Sequence, residues 1–243
     1  MSFPGSPCQN AHDRGEKVTA RPFVFINSAM SADGKISSFE RCQVRISGQE
    51  DKARVDLLRA ESDGIMVGVG TVLADDPGLR VKSQSYREQR RIKGWQDLPL
   101  RIIADSRART PPSAQALGPG SILAVSRAAD RERLKRIAST GSEIIVCGSE
   151  KVDLAELFSR LSDRGVRRLM VEGGATLNWS LLNLGLVDEI CVYVGAMIIG
   201  GANAPTLVDG PGFRRDFPRL ALSQVRPLDE GVLLKWRVSG RPD

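Results

Sequence analysis

The sequence predicts an α/β fold: a mostly parallel sheet flanked by helices, with an antiparallel strand pair at the C-terminal end. Three observations carry this. Short apolar runs rich in Val and Ile alternate with segments of helical spacing, the pattern of a sheet buried on both faces. Residues 168–184 (RLMVEGGATLNWSLLNL) read in succession as a strand, a glycine turn and a helix. The last two β-prone runs are separated by too few residues for a crossover helix, so they pair antiparallel.

Residues 22–27 (PFVFIN) form the first strand, and 31–35 (SADGK) a polar turn. Ser47 and Glu50 have the S-x-x-E spacing of a capping box, opening a helix through Leu57, Leu58 and Ala60 that Asp63-Gly64 stops. Residues 65–67 are the second strand, running into the loop Gly68-Val69-Gly70-Thr71. Pro77 disfavours helix at Asp76, so Asp75-Asp76-Pro77 is a turn. Residues 83–97 are charged and irregular and read as a flexible loop. The third strand is 100–104, ending in Asp105-Ser106, and the fourth is 121–125. Residues 129–138 have helical periodicity, with Leu134, Ile137 and Ala138 on one side. The fifth strand is 143–147. Asp153 and Glu156 open a helix through Leu157, Phe158 and Leu161, closed by Gly165. Leu169-Met170-Val171 is the sixth strand, and Thr176 and Gly185 bound the helix after it. Strands at 188–194, 220–225 and 232–238 complete the chain, the last two bridged by Pro227 and Gly231.

Composition narrows the function. Residues 1–20 are polar and rich in Pro, Gly and Ser, and lack a signal peptide's apolar core, so they read as a mobile tail on a single domain, 21–243. With no apolar run near membrane-spanning length, the expected location is the cytoplasm. The four cysteines, Cys8, Cys42, Cys147 and Cys191, form no C-x-x-C pair, and reduced, mostly buried thiols are expected. The single histidine, His12, lies in the tail, which excludes Ser-His-Asp, Cys-His and H-E-x-x-H chemistry from the body, and no metal site is expected. The formal charge of +6 suits nucleic acid or small phosphorylated ligands, but the cations are dispersed and aromatics scarce.

The glycine turn is the centre of the functional reading. Gly173 and Gly174 allow close approach to the backbone, and the following helix offers free N–H groups to an anion. Glu172 adds a carboxylate at the strand's C-terminal end, where ligands of open α/β sheets sit. Gly-Gly alone also suits an ordinary turn, and it is not the G-x-G-x-x-G fingerprint.

Residues 27–37 (NSAMSADGKIS), 57–79 (LLRAESDGIMVGVGTVLADDPGL), 100–106 (LRIIADS), 171–182 (VEGGATLNWSLL) and 187–201 together resemble the riboflavin-biosynthesis reductases, most nearly the stand-alone archaeal type. The resemblance implies a dihydrofolate-reductase-like fold, NADPH as cofactor, a homodimer, and a ribosylaminopyrimidinone 5′-phosphate whose ribose is reduced to the ribityl chain. It implies cofactor contacts at Thr71, Asp75, Asp105, Ser106, Gly173, Gly174, Ala175 and Thr176. It places substrate against Asn27, Arg59, Leu79, Lys82 and Glu172, with Glu172 as the catalytic carboxylate. Asn27 stands where bacterial members carry lysine, in agreement with a substrate that still bears its 2-amino group. Arg107 and Arg109 suit two readings equally, attraction of the 2′-phosphate of NADP or an ordinary surface turn. Trp179 reads as a core or interface residue. Glu172→Gln is expected to fold normally and lose rate. Three alternatives stay open: the deaminated pyrimidine as substrate, a dihydrofolate reductase, and a basic nucleic-acid-binding protein.

Overall fold

The computed structural model describes residues 21–239. The expected tail, with Cys8 and His12, lies outside the described residues. In chain order the elements are β1 (Phe23–Ser31), α1 (Gln49–Ala60), β2 (Gly64–Gly68), α2 (Val69–Asp75), α3 (Gln84–Ile92), β3 (Leu100–Ala104), β4 (Ser121–Val125), α4 (Arg131–Ala138), β5 (Glu143–Val146), α5 (Leu154–Asp163), β6 (Arg168–Val171), α6 (Ala175–Asn183), β7 (Glu189–Gly195), β8 (Arg219–Leu228) and β9 (Gly231–Ser239). One nine-stranded sheet has the order β5-β4-β3-β2-β6-β1-β7-β9-β8. Strands β1 to β7 pair in parallel, while β9 runs antiparallel to both β7 and β8. The expected architecture is therefore present, and the apolar runs are strands because both sheet faces are covered.

Each face has its own core. Leu157, Phe158 and Leu161 of α5 and Leu177, Leu181 and Leu182 of α6 pack with Val24, Ile26, Met66, Ile102 and Ile122. On the other face Phe25, Ile65, Val67, Ile103 and Leu123 meet Val72 of α2 and Ile137 of α4, with Val55 and Leu58 of α1 beside them. Each such fully buried side chain contributes about 1.5–3 kcal/mol relative to exposure.

Four local readings are corrected. Residues 84–92 are helix, not flexible loop. Ser83 Oγ accepts from Tyr86 N, and the Asp56 carboxylate accepts from the backbone N–H of Lys82 and Ser83 at 2.6 and 2.8 Å. Arg90, only 4% exposed, donates to the carbonyls of Ala60, Ser62 and Gln96 at 2.7, 2.8 and 2.9 Å, tying α3 to the end of α1. The helix α1 begins at Gln49, and its N-cap, Gly48, has no capping side chain. Asp229, from the β8–β9 turn, takes that role by accepting from Glu50 N and Asp51 N at 3.1 and 3.0 Å. Thr71 lies within the short helix α2 rather than in a loop. Gly174, not Thr176, is the N-cap of α6, while Gly185 follows its end with φ +66°.

Candidate active site

The sheet's connections place a crevice between β2 and β6. From β2 the chain proceeds outward through β3, β4 and β5, and from β6 it proceeds the other way to β7. The helices of the two sets cover opposite faces, so the loops diverge at this point, where open α/β sheets bind ligands. Two backbone bonds fasten its floor: Glu172 N–H donates to Met66 O and Gly68 N–H to Gly173 O, both at 2.9 Å. Gly173 has φ +98°, which favours glycine, and the Gly173–Gly174 peptide is cis. A Cβ on Gly174 would lie 3.0 Å from Thr71 Oγ1, so the space above the turn is narrow and bare. Ala175 and Thr176 open α6, whose first N–H groups have no acceptor within the helix. Such a turn, with its positive dipole end, suits a diphosphate.

Beside it, on the α1 face, lie the acceptors. Ile26 is level with Val171 across the β1–β6 pair, so the next residues, Asn27 and Glu172, are level too and point to the opposite face from Ile26. Glu172 is held by Arg59 from the last turn of α1. Nε and Nη2 donate to its two oxygens at 2.6 and 2.7 Å, and Nη1 donates to Arg80 O at 3.1 Å. The two side chains are 16% and 13% exposed. Burial works against the Arg59 cation, but the Glu172 carboxylate more than offsets it, and the guanidinium's pKa lies above its ordinary value. Asn27 is 6% exposed, and its Oδ1 has no hydrogen-bond partner. This buried acceptor is free to receive a hydrogen bond from a ligand's N–H or O–H.

The remaining expected residues divide. Thr71 borders the glycine turn, and Asp75 ends α2 at the surface, its carboxyl pushed up by partial burial. Asp105 is fully buried, and its carboxylate accepts from Thr110 N and Oγ1 at 2.7 and 2.8 Å, so it shapes its own loop. Ser106 Oγ accepts from Val152 N at 3.0 Å. Leu79 is 1% exposed and belongs to the core, despite its φ of +47°. Lys82 is exposed, its backbone held by Asp56. Arg107 pairs with Glu150 at the surface, a contact worth little. Arg109 joins Arg133 and Arg136 around a notch of about 220 Å³ with no carboxylate in its lining. Sequence reasoning named Arg109 but missed Asp56 and the other two arginines of the notch, Arg133 and Arg136. A helical Asp three residues before Arg59 was the available signal for the first. Trp179 meets Phe213 at 6.2 Å, as a packing residue. A larger cavity, about 620 Å³, opens at the opposite end of the sheet around Arg90, Trp95 and Glu143, far from the glycine turn. Its size alone assigns it no chemistry. Among the described residues no group of three His, Cys, Asp or Glu side chains could hold a metal, and no helix is long and apolar enough to cross a membrane. Among them Cys42 is exposed and Cys147 and Cys191 are buried, all three free.

Comparison with known proteins shows the family. The 2,5-diamino-6-ribosylamino-4(3H)-pyrimidinone 5′-phosphate reductase of Archaeoglobus fulgidus is 48% identical over 89% of this chain and 98% of its own length. The Methanothermobacter thermautotrophicus protein of the same name is 43% identical over 90% of this chain and 100% of its own. Acinetobacter baumannii RibD superposes with a TM-score of 0.74 at 25% identity, covering 90% of this chain and 58% of that one. Residues 22–234 match the RibD C-terminal domain. On its fold, its glycine turn and these matches, the chain belongs to the RibD C-terminal domain family.

Proposed function

We propose that this chain is an NADPH-dependent reductase of riboflavin biosynthesis. In this reading it converts the ribose of 2,5-diamino-6-ribosylamino-4(3H)-pyrimidinone 5′-phosphate to the ribityl chain, in the cytoplasm, as a homodimer. The observation that carries it is the pairing, in one crevice, of a bare glycine turn with the fixed Glu172 carboxylate and the orphaned Asn27 oxygen. Gly173, Gly174, Ala175, Thr176 and Thr71 fit a dinucleotide's diphosphate. Bound NADPH supplies the hydride, which needs the open-chain sugar with an electrophilic C1.

Glu172 accepts from sugar hydroxyls and orients the chain for attack, since both oxygens keep lone pairs beside the arginine fork. Asn27 Oδ1 accepts from an amino group. That favours the diamino substrate, because the deaminated one has a carbonyl where the amino group stood, and two acceptors repel. The arginine notch around Arg109 supports a preference for a cofactor carrying a 2′-phosphate. For the homodimer, the support is the β8–β9 hairpin. Leu220, Leu222 and Val225 are 46%, 58% and 56% exposed, and they pair across to Val238, Trp236 and Leu234, making one apolar face at the sheet edge.

The test measures NADPH oxidation separately with the diamino and the deaminated ribosylaminopyrimidine phosphates, then with NADH replacing NADPH. Faster turnover of the diamino compound with NADPH is expected. Turnover of the deaminated compound alone establishes the other substrate, and oxidation with neither overturns the reductase assignment. Sedimentation of the wild type and Leu222→Lys tests the dimer.

A further inference from the structure

We propose that the cavity at the N-terminal ends of β2 to β5 is a second ligand site, which takes an organic carboxylate with an apolar body. The cavity measures about 620 Å³, a size common among small-molecule sites. It is separate from the crevice, because the strands between them hold the two ends of the sheet roughly 15 Å apart. Pro99, Leu100, Pro119, Ile122 and Val166 give it an apolar lining. Trp95 stands beside them, with the Arg90 and Lys93 cations against its ring at 5.3 and 5.1 Å. Two buried arginines supply the charge. Arg90 and Arg101 both line the cavity and are 4% and 6% exposed. Arg90 directs Nε and Nη1 to the carbonyls of Gln96, Ala60 and Ser62. Arg101 directs Nε and Nη2 to those of Ala116 and Pro119, at 2.9 and 2.7 Å. Nη2 of Arg90 and Nη1 of Arg101 have no acceptor among the described residues, and neither is sealed from the space around it. Carbonyls satisfy N–H groups without neutralising a cation. Burial therefore pushes both guanidiniums below their ordinary pKa; Asp63 and Asp97 only partly offset it at Arg90, and the Arg80 cation adds to it at Arg101. The carboxylates in the lining are engaged elsewhere. Asp97 pairs with Arg91 and Glu143 with Arg164, and Asp63 accepts from the backbone N–H groups of Arg167 and Arg168, both at 2.8 Å. With those two pairs set aside, two buried cations face the one carboxylate of Asp63, and a single positive charge remains. That charge matches a carboxylate better than a phosphate dianion, and the free guanidinium N–H groups suit its oxygens. The apolar lining receives the rest of the molecule.

The experiment titrates the full chain calorimetrically with 2-naphthoate, its neutral analogue 2-naphthamide, and inorganic phosphate. Naphthoate is expected to bind wild type at least about 10-fold more tightly than either of the others, the scale of one hydrogen bond to a charged group. Arg101→Met keeps the apolar stem and removes the cation, and it should weaken naphthoate by about 10- to 100-fold. Arg101→Lys should lose less, because the charge remains without the fork. Saturating NADPH should leave naphthoate affinity unchanged. Equal affinity for naphthoate and naphthamide, or for naphthoate and phosphate, overturns the carboxylate assignment. Full naphthoate affinity in Arg101→Met, or displacement by NADPH, places the ligand elsewhere and overturns the site, as does no binding at millimolar naphthoate. Where Arg101→Met does not fold, nuclear Overhauser contacts in wild type decide instead. Naphthyl protons must reach the methyl groups of Ile122 and Val166, and contacts to other methyls alone overturn the site. None of these readouts depends on the reductase reading.

Discussion

Replacing Glu172 with Gln tests the arginine fork through stability as well as rate. The carboxylate accepts two charge-assisted bonds from Arg59, at 2.6 and 2.7 Å. Gln keeps one acceptor and turns an NH2 group toward an arginine N–H, donor against donor. One bond to a charged group is lost, about 1.5–3 kcal/mol, and the guanidinium is left facing a neutral partner. Removing one member of a fully buried pair costs about 3–5 kcal/mol. Here one bond survives and some water reaches both groups, so the expected loss is about 2–4 kcal/mol. This changes the expectation, drawn from sequence, that Gln leaves folding intact. Urea unfolding provides the assay. With a slope of about 2–3 kcal/mol/M for a domain of this size, the midpoint should fall by roughly 1 M. Catalysis should fall by about 10²-fold or more if Glu172 also moves a proton, and less if it only orients the sugar. An unchanged midpoint in a variant of unchanged slope would refute the fork as a stabilising contact.

Other outcomes follow from the same geometry. Gly174→Leu should weaken NADPH binding about 5- to 150-fold, the equivalent of about 1–3 kcal/mol of overpacking against Thr71, read by cofactor fluorescence; wild-type affinity would remove the turn from the cofactor site. Activity should survive prolonged EDTA treatment, and loss reversed by zinc would contradict the donor set described here. Asp33 accepts from Ser31 Oγ, Ile199 N and Gly200 N, which hold its carboxyl at about 2 against an ordinary 3.8. A lowered folded-state value stabilises above 3.8 and is lost as the pH falls through about 2. The melting-temperature gap between wild type and Asp33→Asn should therefore close over that window, and a gap constant with pH would exclude the assigned bonds. In a Cys8→Ser background, Cys42 should react with a thiol reagent while Cys147, whose pKa burial pushes up to about 11, should not; equal rates would contradict the packing.

The strands were legible because a parallel sheet covered on both faces is written as continuous Val, Ile and Leu runs. The glycine turn and its carboxylate were legible for a similar reason, since strand, turn and helix are consecutive. What escaped depends on partners distant in the chain. The helix α3 hides behind its charge, because its one buried residue is Arg90, satisfied by carbonyls at the end of α1. Leu79, named as a substrate contact from the resemblance, has its side chain in the core, a burial that no local pattern announces. Glu172 and Arg59 were both identified, but not their bond, which spans 113 residues.

The cap on α1 bears on how the protein is made. The acceptor for the first N–H groups of an early helix lies in the last hairpin, 179 residues later for Glu50. While the chain is being synthesised, α1 can wind but its N-terminus stays open until Asp229 has left the ribosome. Arg59 sits at the other end of that same helix. A truncated chain lacking the final hairpin thus loses more than two edge strands. It also loses the anchor of the helix that carries the fork, so completion of the crevice waits on the emergence of Asp229.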